Sequence, residues 1–388
     1  MNPIIPKIPE QPVIEMNEDL FNEFKEVNRL IIVGNGFDIA HGLQSTFKDF
    51  IYDYCIKVIT SILSEMSYQD TLLEVSAQNG FSDSHSYLST LTGEIAFKRV
   101  MDLRSNKGKG ISFKWHSSFL RTIMLEVENK NWVDIEIVYF DLLKSFVNEK
   151  KASEISKLNS ELNYLKQSLN EYLLRQVKDV NFAVDEGIHK QFTQILDTKD
   201  CKPDTLVKDK TPDSIYILNF NYTELAKQYS EFPGAQINYI PIHGQLSGDD
   251  ITSQGAIFGF GDELDDDYLS FEHQRNDEVF EHIKSFKYLQ FNHYRTLLEF
   301  LESNPYQVQI FGHSCGVSDR TLLSTIFEHK NCISIKPFYH KKDDNDDYEQ
   351  KSFAISRHFK SKAELRSKVV NKKYCEAMIQ PQNSEYCP

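Results

Sequence analysis

Four consecutive apolar residues, Leu30-Ile31-Ile32-Val33, run directly into Gly34-Asn35-Gly36, and this junction restricts the fold more than any other stretch of the chain. An unbroken apolar run of that length suits a strand buried on both faces, as inner strands of parallel sheets are. The two glycines allow a tight strand-to-helix turn whose backbone amides come close enough to reach a pyrophosphate. Ile215–Leu218, Val308–Phe311 and Ile333–Ile335 have the same character as the first run. Tyr239–Ile242 makes a fifth strand, and Pro241 places it near a sheet edge or shortens it. Strands spaced by helical stretches predict an α/β chain with a Rossmann-like, mostly parallel, doubly wound sheet.

The stretch from Thr46 to Asp213 reads as almost wholly helical. Trp115–Glu126 and Trp132–Phe146 space their large apolar residues as helices do. Ile155, Leu158, Leu162, Leu165 and Leu169 alternate three and four apart, with Tyr172 in phase. That seam predicts an amphipathic helix packed inside an insertion; a helical hairpin or coiled-coil contact is the alternative. The expected organisation is a Pro-rich arm over 1–17, a nucleotide-binding core over 18–50 and 211–340, a large α-helical insertion over 51–210, and a helical C-terminal extension over 341–388. Pro3, Pro6, Pro9 and Pro12 would line one ridge of a polyproline II arm. Glu18–Val27 reads as a short helix and Asp249–Asp267 as a loop over the sheet. Asp343–Asp347 reads as an exposed acidic turn, and Tyr348–Met378 as two helices parted near Lys360.

Bulk properties narrow the function. The 388 residues include 27 Phe and 19 Tyr, ample for a packed core. A net charge of −14 disfavours a broad nucleic-acid-binding face. No apolar run approaches the ~20 residues of a membrane span, and the N-terminus lacks the order of a secretory signal, so a cytoplasmic protein without membrane partners is expected. Cys55, Cys201, Cys315, Cys332, Cys375 and Cys387 form no Cys-x-x-Cys pair. They read mostly as buried thiols in a reducing compartment, with no zinc knuckle and no metal site implied.

Three turns gather polar residues where ligands bind in open α/β sheets, at the carboxyl ends of the strands. After the first strand stand Gly34, Asn35, Gly36, Phe37, Asp38 and, closing the turn, Gly42. After the second come Asn219, Asn221 and Thr223; the Asn221 amide can both donate to and accept from ribose hydroxyls, and Thr223 is a good helix N-cap. His243 closes the next strand beside Gly244. Gly312, His313 and Ser314 follow the fourth, with Ser318 or Asp319 expected to cap the next helix. Cys315 reads as a buried thiol rather than a nucleophile. An acidic alternative is Asp38, Asp134, Glu136, Asp262 and Glu263 around a divalent ion. Asp134 and Glu136, two apart on a helix, would face different sides, one of them pairing with a base such as Arg357.

The order of these motifs is itself specific. Gly34-Asn-Gly-Phe-Asp-Ile-Ala-His-Gly-Leu43, Trp132-Val-Asp134-Ile-Glu136, Asn219-Phe-Asn-Tyr-Thr223, Ile242-His-Gly244, Phe258-Gly-Phe-Gly-Asp262-Glu263, Gly312-His-Ser314 with Ser318-Asp319, and Ile355-Ser-Arg357-His358-Phe359 follow one another along the chain. Together they resemble the AbiH-like family of bacterial abortive-infection proteins, from about Leu30 to Cys375, which implies phage defence. A more distant resemblance is to the sirtuin core, whose Gly-x-Gly, five-residue, Gly-aliphatic spacing is matched by Gly34 to Leu43. Sirtuin-like NAD-hydrolysing defence proteins continue with motifs that Asn221, His243 and Gly312–Ser314 match in order. That resemblance implies Asn221 holding the ribose and the attacking water, His243 as base, and Gly34, Asn35, Gly36, Phe37, Asp38, Gly42, Thr223, Gly312, His313 and Ser314 around the nucleotide. NAD would be the substrate, with no prosthetic group. Thr223 and Asp38 depart from the pattern, and the four-cysteine zinc module of sirtuin deacylases is missing from the sequence. Such cleavage needs little machinery: nicotinamide leaves as a neutral molecule, so a water-controlled pocket and one base suffice. Two other functions remain open, a nucleotide-binding sensor without catalysis and a metal-dependent nuclease. Partners expected are a second copy of the chain or another defence protein, and a phage trigger.

Overall fold

The computed structural model describes residues 26–77, 90–105, 110–130, 134–178, 182–202, 211–245, 256–263, 265, 268–273 and 275–381. The Pro-rich arm, most of the expected Glu18–Val27 helix, much of the 249–267 loop and Cys387 lie outside them. At the centre is a five-stranded sheet in the order β6-β5-β1-β7-β8, comprising β1 (Asn28–Val33), β5 (Ile215–Asn219), β6 (Ile237–Pro241), β7 (Tyr306–Phe311) and β8 (Cys332–Phe338). Every pairing in it is parallel.

The apolar runs have the expected cause: β1 is buried along its whole length because both faces are covered. Leu30 and Ile32 join Val308, Ile310 and Ile335 beneath the helices at Asn292–Ser303, Arg320–Phe327 and Tyr348–Ser356. Ile31 and Val33 face the other way, onto Phe37, Ile188, Phe192 and Tyr229. Pro241 ends the edge strand β6, as expected of a residue that cannot donate to a ladder. Pro337 sits in β8, the opposite edge.

The stretch between β1 and β5 is not wholly helical. Three strands, β2 (Ser67–Gln69), β3 (Leu73–Ala77) and β4 (Ile111–Trp115), form an antiparallel sheet inside it. Trp115 therefore ends a strand, and the helix expected from it begins at Ser118. Around that sheet pack the helices Phe47–Glu65, Gly93–Ser105, Ser118–Lys130, Ile135–Asn148 and Ala152–Val177. The first starts on a reciprocal capping box between Thr46 and Asp49. The leucine seam lies on the last: Ile155, Leu158, Leu162, Leu165, Leu169 and Tyr172 are all buried in a core that the insertion shares with Phe258, Phe260, Phe271 and Ile283, so the seam is filled within the chain. Of the acidic turn expected over Asp343–Asp347, only Asp343 and Asp344 form the exposed turn, between the short strands β9 (Lys341–Lys342) and β10 (Asn345–Asp346); Asp346 and Asp347 are half-buried. After it, helices Tyr348–Ser356 and Lys362–Lys368 are parted around Lys360. Among the described residues no helix is long and apolar enough to cross a membrane.

Candidate functional site

A cavity of about 500 Å³ opens where the carboxyl ends of β1, β5, β6 and β7 meet the insertion. Gly34, Asn35, Gly36 and Asp38 wall it after β1, Asn221 and Thr223 after β5, His243 after β6, and Gly312, His313 and Ser314 after β7. Thus all the expected site residues except Phe37 and Gly42 meet around one space. Phe37 turns into the core and packs on Phe192 and Tyr229. Gly42 bends the chain with a φ of +91° but does not reach the cavity. More of the wall comes from Thr46, Phe47 and Lys48 at the start of the Phe47–Glu65 helix, and from Asp134, Glu136, Leu169 and Leu173 of the insertion.

The glycines work differently from a phosphate cradle. The Gly34 amide donates to Phe311 O at 3.0 Å and the Gly36 amide to Gly312 O at 2.8 Å, so both are already spent within the fold. What Gly34 and Gly36 permit is contact between the turns after β1 and β7. A Cβ on Gly34 would lie 2.5 Å from His313 Cα, and one on Gly36 2.8 Å from Gly312 O. Gly312 itself has a φ of +66°, which favours glycine.

Asp38 is an internal acid. It is 1% exposed, with Asn221 Nδ2 donating to Oδ1 at 2.8 Å and Thr223 Oγ1 to Oδ2 at 2.5 Å. Burial pushes its carboxyl up to about 7 against the pull of those two donors. Thr223 is therefore not a helix cap; the next helix, Lys227–Ser230, begins at Ala226 without a side-chain cap. Asn221 also donates to Gly34 O at 3.1 Å, which commits its amino group and leaves its carbonyl oxygen as the side chain's acceptor.

His243 is 3% exposed. Its Nδ1 lies 3.1 Å from Phe220 O, while Nε2 lies 3.2 Å from Tyr288 Oη and 3.2 Å from Asp319 Oδ1. Burial and the nearby Lys284 ammonium hold its pKa below the ordinary histidine value, with Asp319 opposing them. His313 accepts the Cys315 amide at Nδ1, which assigns its proton to Nε2, 3.7 Å from Asp319 Oδ2. The Phe220 ring packs edge-on against both histidines.

Sequence reasoning missed the charge behind them. Lys284, 1% exposed, donates to Asp319 Oδ1 at 2.8 Å and to Glu136 Oε2 at 2.9 Å, while Glu136 Oε1 accepts the Gly259 amide. Burial would raise the Asp319 carboxyl, but Lys284 and the histidines hold it well below its usual range. Burial raises Glu136, with Lys284 pulling the other way. Asp319 begins the Arg320–Phe327 helix but makes no cap hydrogen bond, because its carboxylate is taken by Lys284 and the histidines. Glu136 thus pairs with Lys284 rather than Arg357. Asp134 sits outside the helix as its N-cap and faces the same cavity as Glu136. The five acids proposed around an ion do not gather: Asp262 binds Arg320, the Glu263 amide binds Thr321, and neither lines the cavity. Among the described residues no group of three or more His, Cys, Asp or Glu is placed to hold a metal ion. The five described cysteines are free thiols, all buried except the half-buried Cys201, and burial raises Cys315 to about 12.

Residues 30–341 match the profile of the family described as bacteriophage abortive infection AbiH. That match covers most of the chain, and the chain belongs to the AbiH family. No curated protein matches it.

Proposed function

From that membership we propose that this AbiH protein acts in abortive infection by binding NAD, or a close nucleotide relative, in the cavity and hydrolysing its N-glycosidic bond. One juxtaposition supports the reading: Asn221 and His243, at the ends of neighbouring parallel strands, share a space of nucleotide-accommodating size with the Gly312–Ser314 turn. In the reaction a water oxygen bonds to the ribose anomeric carbon while the bond to nicotinamide breaks. The electron pair of that bond neutralises the pyridinium ring, which leaves as nicotinamide. The Asn221 carbonyl oxygen orients the water. His243 takes its proton at Nε2 once the Tyr288 hydroxyl has turned its own proton away from that nitrogen, with Nδ1–H held on Phe220 O, and the resulting imidazolium lies against Asp319. Abortive infection also requires restraint before infection, so the proposal includes a phage trigger and a partner, either a second copy of the chain or another defence protein.

Purified protein incubated with NAD, with and without EDTA, tests this. Nicotinamide should appear at the same rate in both, and His243→Ala should slow it on the order of 10²–10⁴-fold. Asn221→Ala should also abolish release, but it unpins Asp38, so its melting must be followed alongside. Intact NAD beside EDTA-sensitive cutting of nucleic acid would identify a nuclease instead. NAD bound but never consumed would identify a sensor.

A further inference from the structure

Asp319 Oδ1 is shared between two groups, Lys284 Nζ at 2.8 Å and His243 Nε2 at 3.2 Å. We propose that Lys284 is a positioning residue that sets the charge of His243 by occupying the carboxylate that would otherwise hold a proton on the ring.

The contacts of His243 accommodate two states. A neutral ring donates from Nδ1 to Phe220 O and accepts at Nε2 from Tyr288 Oη, which satisfies both nitrogens. An imidazolium keeps the bond to Phe220 O and turns its second donor to Asp319. Which state the ring adopts depends on how much of the Asp319 charge is left to attract a proton. Lys284 stands in a buried position between Asp319 and Glu136, so its ammonium neutralises the first carboxylate and repels a second cation nearby. The other groups near His243 are the hydroxyl-bearing rings of Tyr222 and Tyr288, and His313, which packs on the same Phe220 ring. His313 spends its Nδ1 on the Cys315 amide and directs its Nε2 proton toward Asp319, adding a second, weaker claim on the same carboxylate. Glu136 reaches His243 only through Lys284.

The consequence for chemistry rests on reading His243 as the base, since a base must begin neutral. The charge assignment itself needs no substrate. It is tested by NMR titration of the His243 ring, identified by its loss in His243→Gln. Replacing Lys284→Met should raise the His243 pKa by about one pH unit or more, because Asp319 is then free to pair with an imidazolium. Lys284→Arg should keep it close to the wild-type value. Asp319→Asn should move it in the opposite direction, further down. Should Lys284→Met fail to fold, the pair Lys284→Met with Glu136→Gln removes one buried charge of each sign and should show the same rise. An unchanged His243 titration in folded Lys284→Met, or in the folded pair Lys284→Met with Glu136→Gln, overturns the proposal. A moved titration in a protein that never releases nicotinamide leaves the Lys284 assignment standing and removes the NAD reading.

Discussion

The Asp38 carboxyl carries a proton through a pH range in which an unfolded chain has lost it. In the unfolded state an aspartate titrates near 3.9; in the native protein burial pushes this one up to about 7. The native state therefore binds the extra proton between those values. Its stabilising effect is complete below about pH 4 and fades as the pH rises through about 7, for a total on the order of 4 kcal/mol. Asp38→Asn removes the titration without emptying the site, since the amide oxygen can accept from Asn221 and its NH₂ can donate to Thr223. Urea unfolding should then show a flatter pH dependence between 4 and 7 and a more stable variant at pH 8. Equal pH slopes in both proteins would mean that the native carboxyl is ionised throughout. Gly312 is a second residue with a sharp expectation. Its positive φ is compounded by a would-be Cβ only 2.1 Å from the Phe37 amide nitrogen. Gly312→Ala should cost roughly 1–3 kcal/mol by thermal melting, the range for overpacking at a fixed backbone; a melting point within a degree of wild type would mean the two turns can separate freely. The same crowding makes Gly36→Val a folding mutation rather than a clean loss of ligand contact.

At the scale of elements, the helix Ala152–Val177 offers the clearest test. Leu162 is fully buried against the insertion's other helices, so Leu162→Glu places a carboxylate where no partner waits. A loss of roughly 3 kcal/mol or more in urea unfolding is expected, with the sedimentation of the folded fraction unchanged because the seam is filled within the chain. A changed oligomer at unchanged stability would mean that the seam meets another copy. The elements most legible from sequence were those with one dominant physical cause. The core strands declare themselves as unbroken apolar runs because both faces are covered, and the seam by its spacing. β3 escaped notice because Leu73, Val75 and Ala77 point inward while Glu74 and Ser76 do not, so five residues of alternation sit between longer helical patterns. The site was partly legible for a similar reason. Asn221, His243 and His313 lie just past the ends of β5, β6 and β7, where position alone is informative, whereas Lys284 belongs to no motif and finds Glu136 and Asp319 at separations of 148 and 35 residues. Asp319 precedes an apolar helix just as a cap would, which concealed its pairing with Lys284.

For the whole molecule, the sheet and the insertion are two halves of one vessel. The parallel sheet brings four strand ends to one edge, and the insertion closes over that edge with the starts of two helices and the far end of a third. Neither half encloses the cavity by itself. Its walls are drawn from positions as far apart as Gly34 and Ser318, and the strand that carries His313 pairs directly with the first strand of the core. A chain emerging from the ribosome therefore has its glycine turn early but no enclosed pocket until the segment reaching Ser318 has cleared the exit tunnel. Nothing that depends on this cavity can begin on a polypeptide cut short of Ser318; the pocket exists only in chains translated past that residue.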